Sequence, residues 1–166
     1  MISRHQVFAQ NCDGDGMDIA TDVITTMFHA VDDLDWVTVR RCCAPVLATD
    51  YTSLWGGEPG RVSIDDLVAD WGGMAPGFDA TQHLLGPCAL IDASETSLTV
   101  GTNVRAYHHI AGVGTWLVAG RYVIGLTRTD GDWVVGAITL HARYEEGDRE
   151  LVTRARARTA AGEGRA

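Results

Sequence analysis

The apolar pattern of this chain changes period once, near Pro76-Gly77, and that switch limits its folds more than any other feature. Before it, apolar residues recur at three- and four-residue steps, the signature of amphipathic helices; after it they alternate with polar ones, the signature of strands. Helices first and strands afterwards imply an α+β fold, with N-terminal helices packed on an antiparallel sheet.

The first helix follows from Ile19, Val23, Ile24, Met27, Phe28 and Val31, which form one stripe. The acidic break Asp32-Asp33-Leu34-Asp35 precedes a second, short helix marked by Trp36, Val37, Val39, Arg40 and Cys43. That helix must stop by Ala44 because Pro45 follows. Ser63, with Asp66 three positions on, caps a third helix over Ile64 to Trp71, which Gly72-Gly73 ends.

Four strand runs follow: Thr81 to Ile91, Ser97 to Ile110, Thr115 to Arg128 and Trp133 to Tyr144. Their connections are short, and the last contains the Asp130-Gly131 pair favoured in tight hairpins, so consecutive strands are expected to pair antiparallel. Residues 1–16 carry no periodicity and read as a loosely packed arm, 17–147 as one domain, and 148–166 as a partly helical or frayed tail.

Composition closes several function classes. A formal charge of −9 opposes binding to a phosphate backbone, so no nucleic acid is expected. All thirteen basic residues are arginine, which removes Schiff-base catalysis and a phosphate-cradling lysine. No apolar run is long enough to span a membrane, and the first residues do not read as a signal peptide, so a cytoplasmic protein is expected. Cys12, Cys42, Cys43 and Cys88 lack metal or redox spacing and read as small apolar thiols.

Within Ser97 to Ile110 strand alternation puts Leu98, Val100, Thr102, Val104, Ala106 and His108 on one face. In the run before it His83 shares a face with Leu85, Ala89 and Ile91. Both imidazoles then enter one apolar space. A buried histidine needs a partner for its second nitrogen, and Asp32 at the helix junction is the candidate, although Asp32 or Asp33 could instead cap the Trp36 helix. An Asp–His pair fixes the imidazole tautomer and suits it to abstract a proton next to a carbonyl, while the second histidine can act as the acid.

The segments Asp32-Asp33-Leu34-Asp35-Trp36, Ala44-Pro45, Asp50-Tyr51 and Thr81-Gln82-His83, with the hairpin Asp130-Gly131-Asp132-Trp133, resemble scytalone dehydratase and the SnoaL-like polyketide cyclases of the nuclear-transport-factor-like superfamily. The resemblance covers roughly Met17 to Tyr144. It implies a strongly curved sheet, a cone-shaped α+β barrel and an internal pocket. It also implies catalytic roles for Asp32, His83, His108 and Tyr51, the last holding water and a substrate carbonyl. Where the family has a tyrosine before the aspartate this chain has Val31, and the family's pocket serine and asparagine become Gly120 and Tyr122. Tyr122, inward with Trp116, Val118 and Ile124, can supply a phenol from another wall. Arg143 stands where related dehydratases and dehydrochlorinases have an arginine, and Trp55 and Trp71 are candidates for the pocket mouth.

The resemblance thus implies a dehydratase, isomerase or cyclase without cofactor or metal, acting on an apolar polycyclic or polyketide-like hydroxy-ketone through an enol or enolate. A non-catalytic ligand-binding or dimerisation module of the same fold is the alternative, favoured by Val31. A metal site on His83, His108 and Asp32 is a weaker third reading. Apolar residues on the outer sheet face, such as Leu117 and Val123, lead us to expect a homodimer, with a homotrimer as in scytalone dehydratase.

Overall fold

A computed structural model describes residues 15–165 of the chain. Most of the stretch expected to be a loose arm lies outside the described residues, and helix α1 (Asp15–Asp32) begins at its end. Ala20, Ile24 and Met27 are fully buried and Phe28 nearly so, while Ile19 is exposed. The core stripe therefore starts at Ala20, one position later than expected, because a 3.6-residue period through Ile24, Met27 and Val31 leaves Ile19 off the face.

Asp35 accepts from the Thr38 N–H at 3.0 Å and caps α2 (Trp36–Cys42). Pro45 forbids a longer helix, and the chain runs on extended as β1 (Cys43–Asp50), a strand that the period-two pattern did not reveal. A single turn, α3 (Thr52–Trp55), and the short β2 (Gly60–Ser63) follow. Then comes α4 (Ile64–Gly72), capped as expected by Ser63, whose hydroxyl accepts from the Asp66 N–H at 3.1 Å.

A 3₁₀ turn (Ala75–Gly77) leads into β3 (Ala80–Leu85), β4 (Ala89–Ala93), β5 (Ser97–Ile110), β6 (Gly114–Thr129) and β7 (Asp132–Glu146). The expected single run from Thr81 to Ile91 is thus two strands, broken where Pro87 cannot donate to a ladder. They pair with different halves of β5, and Ala89 and Ile91 are exposed rather than sharing the face of His83. The remaining runs lie within two residues of their expected ends.

The sheet order is β2-β1-β7-β6-β5-β3, with β4 also on β5. Every pair is antiparallel except β1 with β7, so the sheet is mixed where an antiparallel one was expected. Register shifts at Ala119/Gly120 and Gly125/Leu126 bend the long β6–β7 pair. The sheet curls into a cone-shaped α+β fold without closing, and α1 lies in its concavity, where Ile24, Met27 and Phe28 meet Val100, Ile124, Leu126, Ile138 and Leu140.

The last described stretch forms α5 (Leu151–Ala160), which buries Leu151 and Ala155 despite its polar composition. Leu117 is also buried and Val123 half-buried within the single chain, so neither offers the open apolar face on which self-association was argued. No described helix is long and apolar enough to cross a membrane.

Candidate active site

Asp32 is the last residue of α1. Because Asp35 caps the following helix, the Asp32 carboxylate is left for a distant partner, and that partner is His83 on β3. Asp32 Oδ1 lies 2.8 Å from His83 Nδ1, and Oδ2 accepts the His83 backbone N–H at 2.7 Å. Both side chains are about one-eighth exposed, at 13% and 12%. Burial alone would push the Asp32 carboxyl up, but the His83 ring and amide, with the Thr81 hydroxyl, outweigh it and hold the group below its ordinary value. Asp32 is therefore an anion at neutral pH, and His83 donates to it from Nδ1. Nε2 is the nitrogen left for a ligand.

His83 lines a cavity of about 110 Å³ together with Phe28, Val31, Tyr51, Trp71, His108 and Tyr122. The space exists because β5 and β6 place the short side chains of Ala106 and Val118 opposite each other in its wall. His108 is 8% exposed, packed between Phe78 and Trp116. Its Nδ1 has no hydrogen-bond partner among the described side chains and backbone. Burial, and next the nearby His83, push its pKa down to about 3, so His108 is a neutral imidazole at pH 7.

Tyr51 and Tyr122 bring two phenols into the cavity in mutual contact. Burial pushes both pKa values above the ordinary phenol value, which keeps the pair neutral. Phe28 stacks on Tyr122 and tilts against His83, each at 5.0 Å between centroids. Val31 is buried in the wall and Trp116 beneath it. Trp55 and Trp71 also line the cavity, with Trp55 half-exposed under the guanidinium of Arg149.

The structure does not bring every expected residue to this place. Arg143 is exposed and lines a groove on the outer sheet face with Arg105, Tyr144 and Gly120, because its position on β7 points away from the concave side. Sequence reasoning in turn missed Phe28, Thr81, Met74 and Arg149. Phe28 precedes Asp32 by one helical turn, and Thr81 precedes His83 by one strand repeat, so both were within reach of periodicity. Among the described residues no group of three His, Cys, Asp or Glu side chains is arranged to hold a metal ion.

Comparison with known proteins agrees with this architecture. A family model described as a SnoaL-like domain matches residues 18–139. A scytalone dehydratase-like protein of Claviceps purpurea is 29% identical over 132 residues, covering 71% of this chain and 81% of that protein. The Kfla4162 protein of Kribbella flavida superposes with a TM-score of 0.76 at 23% identity, over 85% of this chain and 99% of that one. The hexachlorocyclohexane dehydrochlorinase LinA-type3 of Novosphingobium barchaimii superposes with a TM-score of 0.65 at 14% identity, over 81% of this chain and 91% of that one.

Proposed function

The chain belongs to the SnoaL-like domain family, and on that footing we propose that it is a cofactor-free acid–base enzyme, a lyase or isomerase acting on a hydroxy-ketone through an enolate. The observation that carries this reading is the 2.8 Å contact of Asp32 with His83 Nδ1 at the wall of an apolar cavity. It leaves Nε2 as a base held in one tautomer.

His83 Nε2 takes the proton from the carbon next to the ketone, and the electron pair moves onto the carbonyl oxygen. The neutral phenols of Tyr51 and Tyr122 donate hydrogen bonds to that developing oxyanion. His108 was expected to be the acid. As a neutral imidazole it donates a hydrogen bond to the departing hydroxyl, in the way a neutral histidine polarises a carbonyl elsewhere. The proton His83 has gained is then the one that leaves with the hydroxyl: the C–O bond breaks, water departs, and His83 returns to its starting state.

The cavity of about 110 Å³ is smaller than the roughly 150 Å³ that encloses a benzene ring, so it takes the reacting edge of one ring of a polycyclic ketone while the lining stays as it is. The rest of such a substrate lies against Trp55 and Trp71. Dehydration is favoured over isomerisation by the relative of Claviceps purpurea, a scytalone dehydratase-like protein. The competing reading, a non-catalytic binding module, draws on the apolar Val31 in the wall.

Deuterium uptake separates the two. Hydroxy-ketones shown to enter the cavity by tryptophan fluorescence are incubated with the protein in heavy water without metal or cofactor. Exchange next to the carbonyl, abolished in Asp32→Asn, is the expected result; ligands that bind but never exchange would overturn the enzymatic reading.

A further inference from the structure

The guanidinium of Arg165 makes four hydrogen bonds, all to neutral acceptors. Nη1 donates to the Asp32 carbonyl at 3.0 Å and Nε to the Phe78 carbonyl at 2.9 Å. Nη2 donates to the Thr81 hydroxyl at 3.2 Å and to the Ala75 carbonyl at 3.4 Å. The Arg165 backbone N–H reaches the Pro76 carbonyl at 2.6 Å. These acceptors belong to the end of α1, the 3₁₀ turn and the start of β3.

Asp32 and His83 are 51 residues apart and come from two of those elements. A pair held at hydrogen-bond distance tolerates about half an ångström of drift before its geometry degrades. Something must therefore fix α1 against β3, and Arg165 bonds both: the backbone of Asp32 itself, and Thr81, which lines the cavity two residues before His83. Docking of the C-terminal helix does not require it. Arg158 pairs with Asp79 at 2.7 Å and Arg156 with Asp70 at 2.8 Å. Gly77 approaches α5 so closely that a Cβ there would sit 1.9 Å from the Ala155 carbonyl oxygen.

We infer that Arg165 is a positioning residue for the Asp32–His83 pair, tying the end of α1 to the start of β3 and so fixing the distance over which His83 Nδ1 donates to Asp32. Its effect on turnover rests on the proposed acid–base reaction; its effect on the pair does not.

The test reads the histidine ring directly. In ¹⁵N-labelled protein, long-range imidazole correlations report the His83 tautomer and the exchange rate of its Nδ1 proton, with His83→Gln supplying the assignment. The wild type is expected to show a single Nδ1–H tautomer. Arg165→Met should speed exchange on the order of tenfold, the scale of one weakened hydrogen bond, while helix content stays unchanged. Arg165→Lys, which keeps the charge but not the planar fork, should fall between. A lowered melting temperature with wild-type tautomer and exchange in Arg165→Met would reduce Arg165 to a docking staple and overturn the inference. Should that variant not fold, Arg165→Lys is read the same way, and unchanged exchange there overturns the inference. No substrate is needed, so an inactive protein whose His83 responds to Arg165 would sink the proposed reaction and leave the positioning role intact.

Discussion

His83 and His108 meet edge to face, their ring centroids 6.0 Å apart and their planes at 85°, yet only one of them has a carboxylate. His83 is held by Asp32, whereas His108 is shut among apolar rings and has its pKa pushed down to about 3. In the unfolded chain His108 takes up a proton near pH 6.5, and in the folded chain it does not until about pH 3. Between those values the unfolded state binds more protons, so stability rises with pH through this window and is lost on acidification. Urea denaturation at pH 7.5 and 4.5 should show the wild type losing ~2–3 kcal/mol, about 1.4 per pH unit below 6.5. His108→Phe should abolish most of that loss. An unchanged pH slope in the variant would mean that His108 is not kept neutral by the fold.

Asp32 works in a different window. Its folded pKa lies below the ordinary value, so the stability it contributes is present above the usual carboxylate range and lost only as pH falls through the folded value. The acid loss due to Asp32 therefore begins in the ordinary carboxylate range, at the acid end of the window in which His108 acts, and continues as pH falls further. For catalysis, Asp32→Asn keeps size and fold but removes the charge that selects the Nδ1–H tautomer. A comparable swap in a serine protease triad lowers kcat by about 10⁴, and a fall on the order of 10³ or more is expected here, with KM changed little. Circular dichroism matching the wild type would confine the loss to chemistry.

Much of this was legible in the sequence because it is local. The α1 stripe and the alternation through β5 each place their residues by short-range periodicity, which turned His108 inward, whereas His83 was placed by a run that the structure divides into β3 and β4. What stayed hidden depends on distant partners. Strand β1 contains Pro45, which falls in the gap where pairing with β7 shifts between Cys43 and Ala48, so the proline loses no ladder bond there. No local signal announces a parallel pairing with a strand nearly ninety residues away. Arg165 looked like part of a solvated tail because three of the four acceptors of its guanidinium are backbone carbonyls, which any sequence provides. Arg143 failed for the opposite reason: its position was carried over from relatives, and strand alternation sends it outward.

The two buried phenols give a prediction of their own. Tyr51 and Tyr122 both have pKa values raised by burial, so neither should ionise in the range where an exposed tyrosine does. The rate should therefore show no alkaline decline from phenol ionisation between pH 8 and 10. Tyr122→Phe removes one donor to the developing oxyanion and should lower kcat about 10²-fold, the usual scale for losing one such donor, with little change in KM. A variant that raised KM alone would make Tyr122 a binding surface and leave Tyr51 the only phenol on the oxyanion.

Beside the cavity, Glu145 joins two indoles that play different parts. It accepts from Trp116 Nε1 at 2.9 Å and pairs with Arg149, whose guanidinium lies 5.2 Å from the centre of the Trp55 ring. Trp116 is buried under His108, while Trp55 is half-exposed and 5.7 Å from Trp116. A cation over an exposed ring contributes about 0.5–1 kcal/mol, and exposed ion pairs contribute no more. Arg149→Ala should therefore move the melting temperature by only a few degrees. Its larger effect should be on access, because Trp55, a half-exposed lining residue of the cavity, loses the cation that packs on its ring. Acrylamide should quench Trp55 fluorescence more strongly, with Trp55→Phe identifying the signal, and ligand release should quicken several-fold while kcat stays the same, since Arg149 does not line the cavity. Unchanged quenching would show that the one-turn helix α3 alone keeps Trp55 in place.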